Sequence, residues 1–414
     1  MAGKKVDRPV DYGGREMGSA PGKGGVPGVI TWMVCAYLLM MPIAEVALRA
    51  SVDMTRDRSR FAIVNAITLT GFQSTIATNN YPVGGRIVVF TLTILGMLFA
   101  MIVGGMAVVR ILRLPYGDGQ VARGAGWVCG VLMVVGAIPL IAAGQEPMEA
   151  FMLSASALGN SGQYFGKLPG LGSWQTYWVV LPLSVVGGLG LPVLMEMWDV
   201  AKGRRGLSVH GRVVVVMTAG LYLGVFVLCF LLQWLDAGTG LGWREVIGLA
   251  GSSSVGAVNS RTAGFPFQFV QDMPRGMQWI VILAMMIGGN SAGTAGGLKT
   301  TTVAELVRGV GGALRGKGVG RSFAVAATWL WVYVGMAVVV LMLLLATVPQ
   351  VAADRLLFEA VSALSNVGLS HEVIMIVGPG LDILGAAMLL GRLVPLGILW
   401  WMASTTWEAE LAVG

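Results

Sequence analysis

Four short sequence motifs that could build a cation site recur at nearly equal intervals along the chain. Each motif carries Ser, Thr or Asn just before one glycine, at Gly71, Gly162, Gly264 and Gly368. Glycine accepts the backbone torsion angles that turn a carbonyl toward a central axis, whereas a side chain resists them. A ring of such carbonyl oxygens can replace the water shell of a monovalent cation. The pattern therefore predicts four oxygen-lined loops that converge on one axis.

Close helix packing through small residues is the alternative explanation for any glycine in an apolar chain. It accounts well for five glycines inside apolar runs, Gly104, Gly105, Gly187, Gly188 and Gly190. It accounts less well for the four glycines of the recurring motifs, because these glycines lie at matching positions at the ends of half-polar segments.

A second informative feature is a glycine-rich stretch between Ile287 and Thr302. Its five glycines are Gly288, Gly289, Gly293, Gly296 and Gly297. The apolar segment around it, 277–308, would measure about 48 Å as a straight helix, longer than the ~30 Å hydrocarbon core. Glycine weakens a helix, so we expect a broken helix with an irregular, mobile middle under the loops. A phosphate-binding loop is excluded, because Leu298 rather than glycine precedes Lys299.

Two basic residues fall within predicted membrane segments. Arg392 lies near the middle of the last segment, where a charge is costly and needs a polar partner. It could link backbone carbonyls structurally, or act as an electrostatic barrier or latch on the glycine-rich stretch. Lys299 lies nearer one end of its segment, so its side chain could instead reach water.

The composition places these features in a membrane. Of the 414 residues, 55% are hydrophobic and 12% are charged, against ~25% charged in soluble domains. A soluble enzyme, a nucleic-acid-binding module and a disordered chain are therefore excluded. The chain has two histidines and three cysteines, which leaves no cluster for catalysis, and we predict that it is not an enzyme.

Eight apolar stretches are near the length needed to cross a bilayer. A shorter, half-polar stretch that ends near one of the four glycines lies within each pair. This order predicts an all-α membrane protein with four membrane-pore-membrane repeats around a pseudo-fourfold pore. The eight predicted spans are 28–49, 86–110, 122–143, 175–198, 211–234, 276–308, 323–347 and 380–406.

The basic residues indicate an orientation. With both termini inside, 16 of the 28 Lys and Arg residues fall in inside segments, as the positive-inside rule predicts. Acidic residues, Glu359 among them, would then face outside and concentrate cations there. The chain is predicted to divide into a cytoplasmic tail, 1–26, and four repeats, 27–115, 116–203, 204–320 and 321–414. The third repeat holds the broken gating helix.

The sequence motifs resemble those of the Trk/Ktr/HKT superfamily of K⁺ transporters, specifically the bacterial TrkH/KtrB-type membrane subunit. The most specific motifs are Arg261–Phe265 and the Thr-Ala-Gly-Gly-Leu-Lys-Thr-Thr run within 288–302. The other matching motifs are Thr70–Phe72, Ser156–Gly162, Gly187–Pro192, Ser362–Leu369 and Gly391-Arg392.

The resemblance implies potassium uptake across the bacterial cytoplasmic membrane through a selective, gated pore. Sodium-coupled potassium symport, or less selective monovalent cation transport, is the alternative. The gate would comprise the five glycines of the glycine-rich stretch with Lys299 and Arg392. Potassium would be the bound and transported ion, with sodium as a second candidate and no organic cofactor. The selectivity filter would consist of Thr70, Gly71, Ser161, Gly162, Ala263, Gly264, Val367 and Gly368.

The resemblance also implies partners. Such subunits form homodimers in the lipid membrane and bind a cytosolic nucleotide-binding regulatory ring of the TrkA/KtrA type. No nucleic-acid partner is expected. Gln163 departs from the family pattern, because an aromatic residue is common after the second filter glycine.

Two other classes fit the chain less well. A secondary transporter with inverted repeats would show two related halves and paired helix breaks, whereas this sequence repeats four times and shows one strong break. A membrane enzyme would need acids, His or Cys converging in one cavity.

Overall fold

Helices make up almost all of the regular structure. The computed structural model describes residues 26–73, 78–238, 240–318, 320–372, 376–404 and 411–412. The predicted cytoplasmic tail lies outside these ranges except for its last residue. The α-helices within these ranges are α1 (Val26–Ser51), α2 (Arg56–Ile67), α3 (Val83–Ile111), α4 (Asp118–Ala142), α5 (Pro147–Gly159), α6 (Leu181–Leu189), α7 (Leu191–Ala201), α8 (Val209–Ala237), α9 (Trp243–Val258), α10 (Arg275–Met286), α11 (Thr300–Ala313), α12 (Arg321–Thr347), α13 (Ala353–Leu364) and α14 (Pro379–Ser404).

Six helices within the described ranges are long and apolar enough to cross a membrane: α1, α3, α4, α8, α12 and α14. A bent pair, Thr176–Leu189 with Leu191–Ala201, makes a seventh span if it is counted as one. The remaining predicted span, 276–308, forms the two short helices α10 and α11 with the glycine-rich stretch between them. The helix is thus interrupted where the glycines predicted a break, and the chain is a multi-pass membrane protein.

The prediction of one strongly broken span is wrong, because the span predicted over 175–198 is broken as well. It starts with a π-helical turn at Thr176–Val180 and bends by 102° between α6 and α7. Gly190 sits at the bend with a φ of +87°, and a Cβ there would come within 2.7 Å of the Ser291 carbonyl oxygen. Gly190 therefore permits the bend against the glycine-rich stretch rather than close helix packing, and two spans are broken in the described part of the chain.

Four short helices, α2, α5, α9 and α13, each follow a long helix and end shortly before one of the four glycines. After α9 the chain continues in a π-helical turn, Asn259–Ala263, up to Gly264. Helix α2 packs against α1 and α3 and also against α14, while α13 packs against α12 and α14. The first and last parts of the chain are therefore neighbours.

The distribution of polarity suits a lipid environment. The long helices expose large apolar side chains, including those of Trp32, Leu223 and Trp331. The interior holds many buried polar side chains around the ends of the short helices, among them Asn160 and Asn366. A soluble domain would show the opposite arrangement, so the polar groups of this protein are gathered around its centre.

Candidate functional site

The four predicted turns meet side by side at the centre of the molecule, and all eight predicted filter residues are buried. At each glycine, a Cβ atom would come too close to the backbone of a neighbouring turn. The crowded pairs, in order, are Gly71 with Ser161, Gly162 with Gly264, Gly264 with Val367, and Gly368 with Thr70. The contacts thus run from the first turn to the fourth and return to the first, which makes a closed cycle.

The backbone of the turns explains the need for glycine. All four glycines have a positive φ, between +64° and +90°, a region that L side chains rarely adopt. Leu69, Asn160 and Asn366 also have positive φ values, of 58°, 52° and 50°. Each of these three residues lies two positions before its glycine, so three turns share one conformation. Such backbone persists only where the surrounding structure holds it firmly.

Polar side chains from the preceding short helices hold the turns. The Asn65 Oδ1 atom accepts hydrogen bonds from the Gly71 and Phe72 amides at 2.8 and 2.9 Å, and its Nδ2 donates to the Phe72 carbonyl at 3.0 Å. Asn259 makes the corresponding bonds to both backbone groups of Phe265. In the other two turns, serine hydroxyls make the supporting hydrogen bonds. The Ser156 hydroxyl is bonded to the Ser161 hydroxyl at 2.9 Å, and the Ser362 hydroxyl donates to the Leu369 carbonyl at 2.7 Å.

Replacing Asn65 by Leu is expected to destabilise the first turn by several kcal/mol. Two buried amides and one carbonyl would lose their partner, at about 1–3 kcal/mol for each unsatisfied group. The thermal unfolding midpoint of the purified protein should fall clearly. Asn80, which is exposed, provides the control, because Asn80→Leu should leave the midpoint nearly unchanged. Equal midpoints for Asn65→Leu and the wild type would contradict the assigned role.

Arg392 connects the first turn to the glycine-rich stretch. Its Nε and Nη2 atoms donate to the Thr68 carbonyl at 3.0 and 2.5 Å, and its Nη1 donates to the Thr294 carbonyl at 2.6 Å. The side chain is 4% exposed. The predicted need for a polar partner is therefore met by two backbone carbonyls.

Thr294 joins the stretch to the second turn as well. Its hydroxyl donates to the Leu158 carbonyl at 3.0 Å and accepts from the Asn160 Nδ2 atom at 2.9 Å. Its amide donates to the Gly187 carbonyl at 3.2 Å. Thr294 thus contacts the second turn and the helix before the bend directly, and it is connected to the first turn through Arg392.

The glycine-rich stretch packs tightly into the bend between α6 and α7. Asn290 donates from its amide to the Gly188 carbonyl at 2.9 Å and from its side chain to the Leu189 carbonyl at 2.9 Å. Gly296 lies so close to the Ser365 carbonyl that a Cβ would overlap it. All five predicted gate glycines are buried. The stretch therefore packs against the bend and against the segments that lead into the second and fourth turns.

Lys299 does not extend to water. The side chain is 5% exposed, and its Nζ atom donates to the Ala295 carbonyl at 2.6 Å. The ammonium group is bonded inside the same stretch, because the backbone folds back far enough to offer it an acceptor.

Glu359 also departs from its predicted place at the outer surface. It is 2% exposed and lies against the fourth turn, where it accepts from the His371 amide at 3.0 Å and from the Ser370 hydroxyl at 3.3 Å. The neighbouring imidazole of His371 is partly buried, which lowers its pKa below the ordinary value. Glu359 therefore supports the turn instead of collecting ions at the surface.

Three residues of this site were not predicted from the sequence: Asn65, Asn259 and Thr294. A signal for the first two was present, because an asparagine stands six residues before Gly71 and another stands six residues before Phe265. Thr294 had no such signal, because its partners lie more than 90 positions away in the chain.

The chain is similar in sequence to known transport proteins. A family model described as TrkH, cation transport protein, matches residues 126–400. The chain is 27% identical over 425 aligned residues to the Ktr system potassium uptake protein B of Bacillus subtilis, with 91% of each chain covered. It is 31% identical over 225 residues to the potassium/sodium uptake protein NtpJ of Enterococcus hirae, covering 51% of this chain and 48% of that one.

The fold is likewise similar to a solved one. The crystal structure of the potassium transporter TrkH from Vibrio parahaemolyticus superposes with a TM-score of 0.70 at 18% identity, covering 90% of this chain and 85% of that one. The family model spans well over half of the chain and includes three of the four turns, the glycine-rich stretch and Arg392. The chain is therefore a transporter rather than an enzyme, and it belongs to the TrkH family of cation transport proteins.

Proposed function

We propose that this protein takes up potassium across the bacterial cytoplasmic membrane through a selective, gated pore. The closed cycle of four glycine turns carries the proposal, because it gathers backbone oxygens from four separate parts of the chain at one place. The printed names of two relatives, a potassium uptake protein and a potassium/sodium uptake protein, support the choice of ion.

The filter would act by replacing water. The carbonyl oxygens of Thr70, Ser161 and Val367 are the atoms that crowd the neighbouring glycines. A dehydrated potassium ion on the central axis would be coordinated by these oxygens and by the carbonyl oxygens of the turn at Ala263 and Gly264. The short helices α2, α5, α9 and α13 end near the turns, and their partly negative C-terminal ends would favour a cation over an anion.

The glycine-rich stretch would be the gate, formed by Gly288, Gly289, Gly293, Gly296 and Gly297 with Lys299 and Arg392. The hydrogen bond from Arg392 to the Thr294 carbonyl, which connects the stretch to the first turn, supports this role. Glycine lowers the cost of rearranging the backbone. A shift of the stretch that broke the Arg392 and Thr294 bonds would open the passage without unfolding a long helix.

Replacing Thr294 by Val is expected to raise cation leak severalfold. Valine has a similar shape but no hydroxyl, so the Leu158 carbonyl and the Asn160 amide lose a partner, at about 1–3 kcal/mol each. Radioactive rubidium uptake into proteoliposomes would measure the leak. Thr347 lies exposed at the end of α12 and bonds only within that helix among the contacts described, so Thr347→Val serves as the control. A wild-type leak in Thr294→Val would contradict the role.

We further propose that the chain comprises four membrane-pore-membrane repeats, 27–115, 116–203, 204–320 and 321–414, with α10 and α11 as one broken span. Both termini would lie in the cytoplasm, as the basic residues indicate. A homodimer that binds a cytosolic nucleotide-binding ring is the proposed assembly. Its support is the family resemblance and the relative named as protein B of a Ktr system.

Potassium uptake can be tested in a host that lacks its own potassium transporters. The wild-type gene should restore growth at low potassium, and rubidium should compete for uptake more strongly than sodium. Failure of sodium to change the rate would favour a simple pore. Sodium-dependent uptake would favour the alternative, sodium-coupled potassium symport or less selective monovalent cation transport, which the potassium/sodium relative supports. No uptake of any monovalent cation at normal protein levels would reject both.

A further inference from the structure

A cavity of about 340 Å³ lies between α6, α8 and α9, to one side of the four turns. Most of its wall is apolar, with Val185, Leu189, Val215 and Val258 among the lining residues. The lining contains one charged residue, Arg261, and no acid. The cavity therefore combines a hydrocarbon-like interior with a single positive charge.

The charge of Arg261 is incompletely compensated. The side chain is 8% exposed, and no carboxylate among the described residues forms an ion pair with it. Its Nη2 atom donates to the Gly288 carbonyl at 2.9 Å, but Nη1 reaches the Thr218 carbonyl only at 3.5 Å, the outer limit for a hydrogen bond. Its Nε atom is buried without an acceptor.

This unpaired donor favours an anionic guest. A buried charge in a membrane normally pairs with an opposite charge or with backbone carbonyls, and hydrogen bonds between a guanidinium and a carboxylate are among the strongest in proteins. A carboxylate bound to Nε would supply the missing acceptor and neutralise the charge. A neutral or cationic head group would supply less or would be repelled.

The size of the cavity limits the guest to one chain. A phospholipid with two long chains and a large head group is several times larger than a cavity of about 340 Å³. Ala219 and Val215, on the α8 side of the cavity, are exposed, so a guest could enter from the surrounding lipid.

We propose that this cavity binds a single-chain fatty-acid carboxylate from the bilayer, with the carboxylate on Arg261 and the hydrocarbon chain against the apolar wall. Nothing in the proposed potassium pathway requires such a guest. The site would lie beside the filter, because Arg261 belongs to the π-helical turn that ends at Ala263, and Arg261 also contacts Gly288 at the start of the glycine-rich stretch.

Binding of radiolabelled decanoate to the purified protein in lipid nanodiscs tests the proposal, with empty nanodiscs subtracted. The wild type should bind decanoate saturably, and decanol and decyltrimethylammonium should fail to compete. Ala219→Trp, which fills the cavity from α8, should weaken binding at least tenfold. Leu223→Trp provides the matched control, because Leu223 is exposed on the same helix and does not line the cavity.

Arg261→Gln should lose binding to the same extent as Ala219→Trp. If Arg261→Gln fails to fold, the comparison of Ala219→Trp with Leu223→Trp still decides. Equal competition by decanol, or unchanged binding in Ala219→Trp, would overturn the proposal. Binding is measured without transport, so either result leaves the proposed potassium uptake untouched.

Discussion

Replacing Arg392 by Ala is expected to raise the cation uptake rate on the order of tenfold, which corresponds to a barrier lower by ~1.4 kcal/mol. Two effects act in the same direction. The three hydrogen bonds that join the first turn to the glycine-rich stretch are lost, so the stretch can move more easily. A buried positive charge beneath the four turns also disappears, and with it the repulsion of a cation that leaves them.

Arg392→Lys separates these two effects. Lysine keeps the charge, but its single ammonium group cannot reproduce a planar guanidinium that donates to two carbonyls. Uptake by Arg392→Lys near the wild-type rate would assign the effect to charge, and uptake near that of Arg392→Ala would assign it to the bonds. Rates should be compared at equal protein levels in proteoliposomes. A wild-type rate in Arg392→Ala would return the residue to a purely structural role.

The second large effect is expected at Gly71, where Gly71→Ser should reduce the preference for potassium over sodium about tenfold, or ~1.4 kcal/mol. A Cβ at this position would overlap the Ser161 carbonyl oxygen, so the first and second turns would have to separate. The oxygens would then no longer surround a dehydrated potassium ion closely. Competition of sodium against rubidium uptake gives the ratio directly.

Backbone strain alone could also follow from Gly71→Ser, because the φ of Gly71 is +90°. Gly144 offers a matched control, since its φ is +93° but no atom lies within 4 Å of an added Cβ. Gly144→Ser should therefore keep the wild-type preference. Unchanged selectivity in Gly71→Ser would count strongly against this glycine as part of a filter.

Much of the site could be predicted because its residue types are demanding. Only glycine suits the torsion angles of Gly71 and Gly368, so these positions stand out in the sequence. Arg392 stands out for a similar reason, because a charge in an apolar run is too costly to be there without a partner. In each case the local chemistry was unusual enough to indicate a role.

The bend at Gly190 could not be predicted in the same way. Its local sequence, a glycine within an apolar run, favours close helix packing. What decides the bend is the glycine-rich stretch one hundred residues further along the chain, which approaches Gly190 at Ser291. The burial of Glu359 and Lys299 likewise depends on backbone groups that only the folded loops bring near.

Three features could be predicted from the amino-acid sequence: the chain lies in a membrane, glycine recurs at four matching positions, and a helix breaks between Ile287 and Thr302. These features follow from composition and local backbone preference, which act over a few residues. Three others appear only in the folded chain: the turns contact one another in a closed cycle, Arg392 joins Thr68 to Thr294, and the chain bends between α6 and α7. Such contacts depend on which distant backbone groups meet, because a buried donor must find an acceptor wherever packing places one.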